Sequence, residues 1–327
     1  MSAFTHTAEQ MLVLFLLLLA GFAARRCKLM DDRFDTMLSA LVMNVTMPAL
    51  VLDSVLGSES LPGTSTIVEL FCCSVAAYAL LIAAGELLVR TLYRNADERE
   101  RGAHCFAIVF GNVGFMGFPV VSALFGSQAV LYAAIFNIPM NALAFTWGVR
   151  SLKRGGGPAL YDEGASASPQ TRGKRVRGML RSVATPCVLA SVLAAVLACL
   201  GITDNEGVIG SACSLLGQFT TPASLLVIGS SLGKMKLMSV INRLRPYLTV
   251  ALRLVAAPLA VHALFGLFVQ DPLVLGVMTV CSGMPVASMG TMLTLVHGGD
   301  LDTIVRVTSI STLFSLVTIP LIALLVL

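Results

Sequence analysis

Apolar residues fall into ten long runs along this chain, at roughly 8–24, 34–56, 64–89, 103–125, 128–149, 179–200, 207–232, 246–269, 272–296 and 303–326. Each is near the ~20 residues that carry a helix across a bilayer. None shows the strict alternation of a barrel strand, and a backbone in lipid must satisfy its own hydrogen bonds, so each run predicts a helix.

Polar and ring residues interrupt these runs in a pattern. The stretch "LVMNVTMPALVL" (41–52) places Asn44, Thr46 and Pro48 inside the second run. "LLGQFTTPASLL" (215–226) repeats it 174 residues later, with Gln218, Thr220 and Pro222 in the seventh run. Leu41, Thr46, Pro48, Ala49 and Leu52 match Leu215, Thr220, Pro222, Ala223 and Leu226. A second pair is "FGNVGFMGFPVVSALFG" in run four and "CSGMPVASMGTMLTLVHGG" in run nine, both Gly-rich with a mid-run proline, Pro119 and Pro285.

Composition settles the class of protein. Of 327 residues, 56% are hydrophobic and 12% charged, against about 25% charged in soluble domains. The sequence therefore predicts an all-α integral membrane protein. With 7% aromatics and no basic patch interleaved with stacking rings, nucleic acid is excluded as a partner. The eight cysteines form no CxxC pair and sit mostly in apolar runs, as small hydrophobes do. No metal site, cofactor or catalytic residue is expected.

Charge then orients the chain. All 22 Lys and Arg fall in or beside alternate loops, 1–2, 3–4, 5–6, 7–8 and 9–10, with Arg253 counted in the flank of loop 7–8 and Arg306 in loop 9–10. The intervening loops carry Glu59, Asp204, Glu206 and Asp271 but no Lys or Arg. By the positive-inside rule the basic loops are cytoplasmic and both termini lie outside, in a multi-pass cell membrane protein. Arg25 and Arg26 follow the first apolar run rather than precede it, so the N-terminus reads as a span, not a secretory signal. The longest loop, 151–178, is rich in Gly, Ser, Pro and Arg and reads as a flexible cytoplasmic linker.

Five runs precede that linker and five follow it, giving repeats at 1–150 and 179–327. An odd number per half threads the second in the opposite direction. Inverted repeats with Gly/Pro-interrupted spans in corresponding positions point to a carrier with a site near the bilayer midplane. Proline has no N–H and leaves the carbonyl four residues earlier without its donor. Half-helices entering at Pro119 and Pro285 would aim unpaired N–H groups and positive dipole ends at the site, which suits a carboxylate.

Other polar residues within the runs are Asn112, Asn137, Asn141 and Ser282. Asn112, beside the interruption, is assigned to substrate. Asn137 and Asn141 share a helix face and either bind substrate or tie neighbouring helices. His104, His262 and His297 lie toward run ends and read as solvated interfacial residues.

"NVTMP", "GNVGFMGFP" and "GMPVASMGTML" resemble the auxin efflux carrier family, which includes plant auxin carriers and bacterial permeases for malonate and related acids. The resemblance extends over the whole chain. It implies the fold of bile acid sodium symporters: a scaffold of spans 1, 2, 6 and 7, often dimeric, and a transport domain in which broken helices 4 and 9 cross at the substrate. It would place Asn112, Gly114, Gly117, Pro119, Met284 and Pro285 at the crossing. Asn44, Thr46, Pro48, Gln218, Thr220 and Pro222 would line the scaffold side. The expected activity is alternating-access transport of a small organic anion, a mono- or dicarboxylate. A sodium-coupled symporter of the bile acid type and a non-transporting membrane sensor are the alternatives. A membrane enzyme would need a catalytic constellation such as HExxH or GxxxxGKS, and none is present.

Overall fold

The computed structural model describes residues 2–58, 61–156, 184–204, 207–234 and 244–326. Within them regular structure is entirely helical. The helices are α1 (Ser2–Arg26), α2 (Asp32–Leu56), α3 (Thr64–Leu92), α4 (Glu98–Val109), α5 (Val113–Phe125), α6 (Ala129–Leu152), α7 (Pro186–Leu200), α8 (Val208–Lys234), α9 (Leu244–Phe265), α10 (Pro272–Ser282), α11 (Met289–His297) and α12 (Leu301–Val326). Among the described residues α2, α3, α6, α8, α9 and α12 are long and apolar enough to cross a bilayer; α5, α7 and α10 are apolar but shorter. The fourth and ninth apolar runs each divide into two helices. The loop expected over 151–178 lies outside the described residues from 157 onward.

Local sequence explains where the helices begin. Asp31 accepts from the Phe34 N–H (2.7 Å), Asp97 from Glu100 N–H (2.7 Å) and Asp271 from Leu273 N–H (2.8 Å), each meeting a donor that a first helical turn leaves unpaired. Pro186 and Pro272 follow the caps Thr185 and Asp271, where a missing N–H costs nothing. Helices α5 and α11 stop alike, at Gly126 (φ 88°, ψ 166°) and Gly298 (φ 82°, ψ 167°). A side chain is disfavoured in that conformation.

Three prolines are accommodated in one way. Wide turns with i→i−5 hydrogen bonds occupy Val42–Thr46, Val113–Gly117 and Leu252–Ala256, and Pro48, Pro119 and Pro258 follow two residues later. The ring of a helical proline clashes with the carbonyl four residues back, and the extra residue of a π-type turn moves that carbonyl away. Pro222 and Pro320 lie inside otherwise continuous helices. The echo between 41–52 and 215–226 is thus one of sequence, with different backbones.

Two groups of helices pack most closely within themselves, and α6 joins them by lying against α2 and α7 as well. One is α1, α2, α7 and α8. Here α1 and α8 touch backbone to backbone: a Cβ on Gly229 would lie 2.9 Å from Phe22 N, and one on Gly21 would lie 2.7 Å from Leu226 Cα. The echoed segments also meet, Gly217 lying against the Leu50 backbone. An ionic cluster closes one end, with Asp35 accepting from Lys234 (2.8 Å) and Ser230 (2.8 Å), and Asp32 paired with Arg25 (2.6 Å) and Lys234 (2.6 Å). The second group packs α3, α6, α9 and α12 around the two interrupted helices, α4/α5 and α10/α11.

Candidate functional site

The two interruptions meet. Beyond α4, Phe110 is extended (φ −104°, ψ 117°). Asn112 N–H donates to Pro285 O (2.7 Å) and Ala287 N–H to Phe110 O (3.0 Å), making one antiparallel bridge between Gly111 and Val286. Val286 N–H donates to Ser311 Oγ on α12 (3.0 Å). Each break thereby supplies partners for backbone groups that the other releases, which an apolar interior demands. Pro285 lies in its break. Pro119 does not: the break centres on Gly111, and Pro119 sits beyond the first turn of α5, absorbed by the wide turn before it. The expectation that α5 enters at Pro119 is corrected accordingly.

Four helix ends converge here with opposite polarity. The C-terminal ends of α4 and α10 are met by Arg253, whose side chain is fully buried. Its Nε donates to Met284 O (2.9 Å), and its Nη1 to Val109 O (3.1 Å) and Ile108 O (3.3 Å). Counting Arg253 among the residues flanking a loop is therefore wrong: it lies in the wide turn Leu252–Ala256 of α9, and helix-end carbonyls take the place of water. The N-terminal ends of α5 and α11 have no side-chain cap. Asn112 Nδ2 reaches Ser288 Oγ across them (3.3 Å). Ser288 is exposed, whereas 281–287 are all buried.

Around this point the structure gathers several residues singled out in the sequence. A Cβ on Gly114 would lie 3.6 Å from Met47 Sδ and 3.8 Å from Asn137 Nδ2; one on Gly117 would lie 3.3 Å from Met284 Cγ. Asn137 Oδ1 and Thr46 Oγ1 are buried without hydrogen-bond partners among the described residues. Pro48 is the second residue after Thr46 and follows the same wide turn. Other candidates stand apart. Asn44 is exposed and bonds its own helix at Ala40 O (2.8 Å). Gln218 is exposed and donates to Ser214 Oγ (3.3 Å), while buried Thr220 and half-buried Pro222 follow on α8. Ser282 is buried one turn back, donating to Thr279 O (2.8 Å), and Asn141 donates to Asn137 O (2.9 Å).

Sequence reasoning missed Arg253, Gly111, Ser288 and Met47. Arg253 carried a readable signal, since an ionisable residue within an apolar run marks a functional position by default. His104 is a further correction. It is fully buried, with Nδ1 2.7 Å from Thr249 Oγ1, which in turn lies 2.5 Å from Tyr93 Oη. Glu100, one turn before it, pairs with Arg245 (2.8 Å). Packing of α9 over the start of α4 excludes water from the ring. A separate polar cavity of about 200 Å³ opens between the ends of α2, α6 and α10, lined by Ser54, Ser58, Gln128 and Tyr132.

Comparison with known proteins points to membrane transport. An uncharacterized transporter of Methanothermobacter thermautotrophicus is 25% identical over 318 residues, covering 97% of this chain and 98% of the relative. An uncharacterized transporter of Methanocaldococcus jannaschii is 22% identical over 319 residues, covering 96% of each. The model of the family described as membrane transport protein matches residues 6–323. With apolar helices along its length and a match over nearly all of it, the chain is a membrane transporter and belongs to the membrane transport protein family, that of the auxin efflux carriers.

Proposed function

We propose that the protein is a secondary carrier that moves a small organic anion, a mono- or dicarboxylate, by alternating access. Its ten spans would form two five-helix repeats of opposite threading. α4/α5 and α10/α11 are then corresponding broken spans, crossing at the bridge between Gly111 and Val286. The matching stops of α5 and α11 at Gly126 and Gly298 support that correspondence. The group α1, α2, α7 and α8 would be the stationary scaffold and the surface for a homodimer. The cavity at Ser54 and Gln128 would be a vestibule on the outer side.

One observation carries the reading: two uncapped helix N-termini converge where Asn112 meets an exposed Ser288. Each terminus presents unpaired N–H groups and the equivalent of about half a positive charge. Together they complement one carboxylate, and the Asn112 amide and Ser288 hydroxyl add donors. The unpartnered Asn137 Oδ1, on the residue beside Gly114, suits the polar remainder of such a substrate. Uptake of labelled malonate and acetate into proteoliposomes tests this. Asn112→Ala and Ser288→Ala should each cut uptake about tenfold or more while membrane insertion persists, as loss of charge-directed donors implies. Uptake no greater than in empty liposomes for every organic acid tried, or full activity in both variants, would refute it.

A further inference from the structure

The geometry points to Arg253 as a built-in cation that permanently occupies the cation position of the helix crossing, so that the carrier binds no sodium there and draws nothing from a sodium gradient. The crossing has two faces. One presents helix N-termini and awaits an anion. The other presents the C-termini of α4 and α10, whose last carbonyls have no partners within the helix and carry negative partial charge. Oxygen-rich, negatively polarised helix ends of this kind are where unwound carriers hold a coupling cation.

In this protein the position is filled from within the chain. The carbonyls of Ile108 and Val109, the last two residues of α4, and that of Met284, just past α10, all accept from the Arg253 guanidinium. The side chain is wholly enclosed, and Nη2, without a partner among the described residues, lies against the Gly111 backbone. The fit depends on two local features. The wide turn before Pro258 sets the register of Arg253 on α9, and Gly111 leaves the space that the guanidinium enters, since a Cβ there would lie 2.8 Å from Cζ. Arginine does not lose its proton in proteins. A covalently held, permanently charged group cannot be released on one side of the membrane, so it neutralises the helix ends without coupling to an ion gradient. Arg253 is thus a positioning residue, acting on substrate only through the crossing it holds.

The identity of this cation can be tested on purified protein without knowing the substrate. Wild-type protein should keep the same melting temperature when sodium is replaced by N-methylglucamine at constant ionic strength, and any uptake in proteoliposomes should likewise be unchanged. Arg253→Ala should melt roughly 10 °C lower, as removal of one partner from a buried charged network implies. Millimolar guanidinium should restore part of that loss, whereas tetramethylammonium, of equal charge but with no N–H donors, should not. A saturable rise of wild-type melting temperature with sodium would overturn the inference, as would rescue of the variant equally by both organic cations or by neither. Should Arg253→Ala fail to fold, the wild-type sodium titration decides alone, with Arg253→Lys, which keeps the charge, expected to stay sodium-insensitive. The melting arms use no substrate. Failure of the proposed transport activity would therefore leave this result standing, and the reverse also holds.

Discussion

Replacing Gly111 with alanine tests the crossing with one methyl group. The added Cβ would overlap Arg253 Nη2 and lie 2.8 Å from Cζ and 3.1 Å from Met284 O. Carbon contacts settle near ~3.5–4.0 Å, so the guanidinium, whose Nη2 is the atom overlapped, must withdraw by more than about 1 Å or the bridge must open. Withdrawal stretches bonds of 2.9, 3.1 and 3.3 Å past hydrogen-bonding range. Losing even two of these three charge-assisted bonds costs about 3–6 kcal/mol. Opening the bridge instead sacrifices the Asn112-to-Pro285 and Ala287-to-Phe110 bonds, about 1 kcal/mol each, and leaves buried backbone groups unpaired at a further ~1–3 kcal/mol each. Either route predicts destabilisation of at least ~3 kcal/mol, or roughly 6–12 °C in melting temperature, measured by thermal denaturation in detergent. A double-mutant cycle isolates the cause. Arg253→Gln removes Nη2 and shortens the side chain, so Gly111→Ala should cost at least ~1 kcal/mol less in that background. A melting temperature within about 2 °C of wild type, or strict additivity of the two changes, would refute the assignment of Gly111 as the space that the guanidinium needs.

Two further substitutions probe the other helix group. Gly229→Ala should push α8 off α1, because its Cβ would lie 2.9 Å from Phe22 N and 3.0 Å from Leu18 C; overpacking of this kind costs about 1–3 kcal/mol, read as a lower melting temperature with insertion unchanged. Lys234→Met leaves Asp35, 5% exposed, with Ser230 and a distant Arg25 as partners. Partial exposure of Lys234 limits the loss to about 1–2 kcal/mol, and no measurable drop would show that the cluster contributes nothing.

The placement of helices was legible because it rests on physics that acts everywhere along the chain. An apolar run in lipid has no choice but to be helical, and the run lengths say how many residues are involved. The meeting of 110–112 with 285–287 was legible only as Gly- and Pro-rich sequence. Proline marks a residue that cannot donate, but it does not say how the backbone will compensate. At Pro48, Pro119 and Pro258 the chain adds a residue to the preceding turn and continues as a helix. At Pro285 it leaves the helix altogether, where the segment 110–112 pairs with it through a single bridge. The same residue type gives two outcomes because the partner is remote in sequence, and Gly111, the residue at the other break, is distinguished only by what packs against it.

Arg253 shows why charge pattern and site chemistry pull in different directions. A single arginine near one end of an apolar run fits the positive-inside count so well that the count absorbs it. Its true surroundings are set by two carbonyl clusters 31 and 144–145 residues away. No local reading could supply them. The cost of leaving a guanidinium in lipid supplies the missing argument: a charge well inside an apolar helix must either snorkel to the surface or find fixed oxygen partners. Snorkelling is ruled out by the full burial of the side chain, and the carbonyls that remain for it are those that broken helices leave unpaired. A lone buried arginine and a pair of interrupted helices are therefore one feature of this protein, each accounting for the free energy of the other.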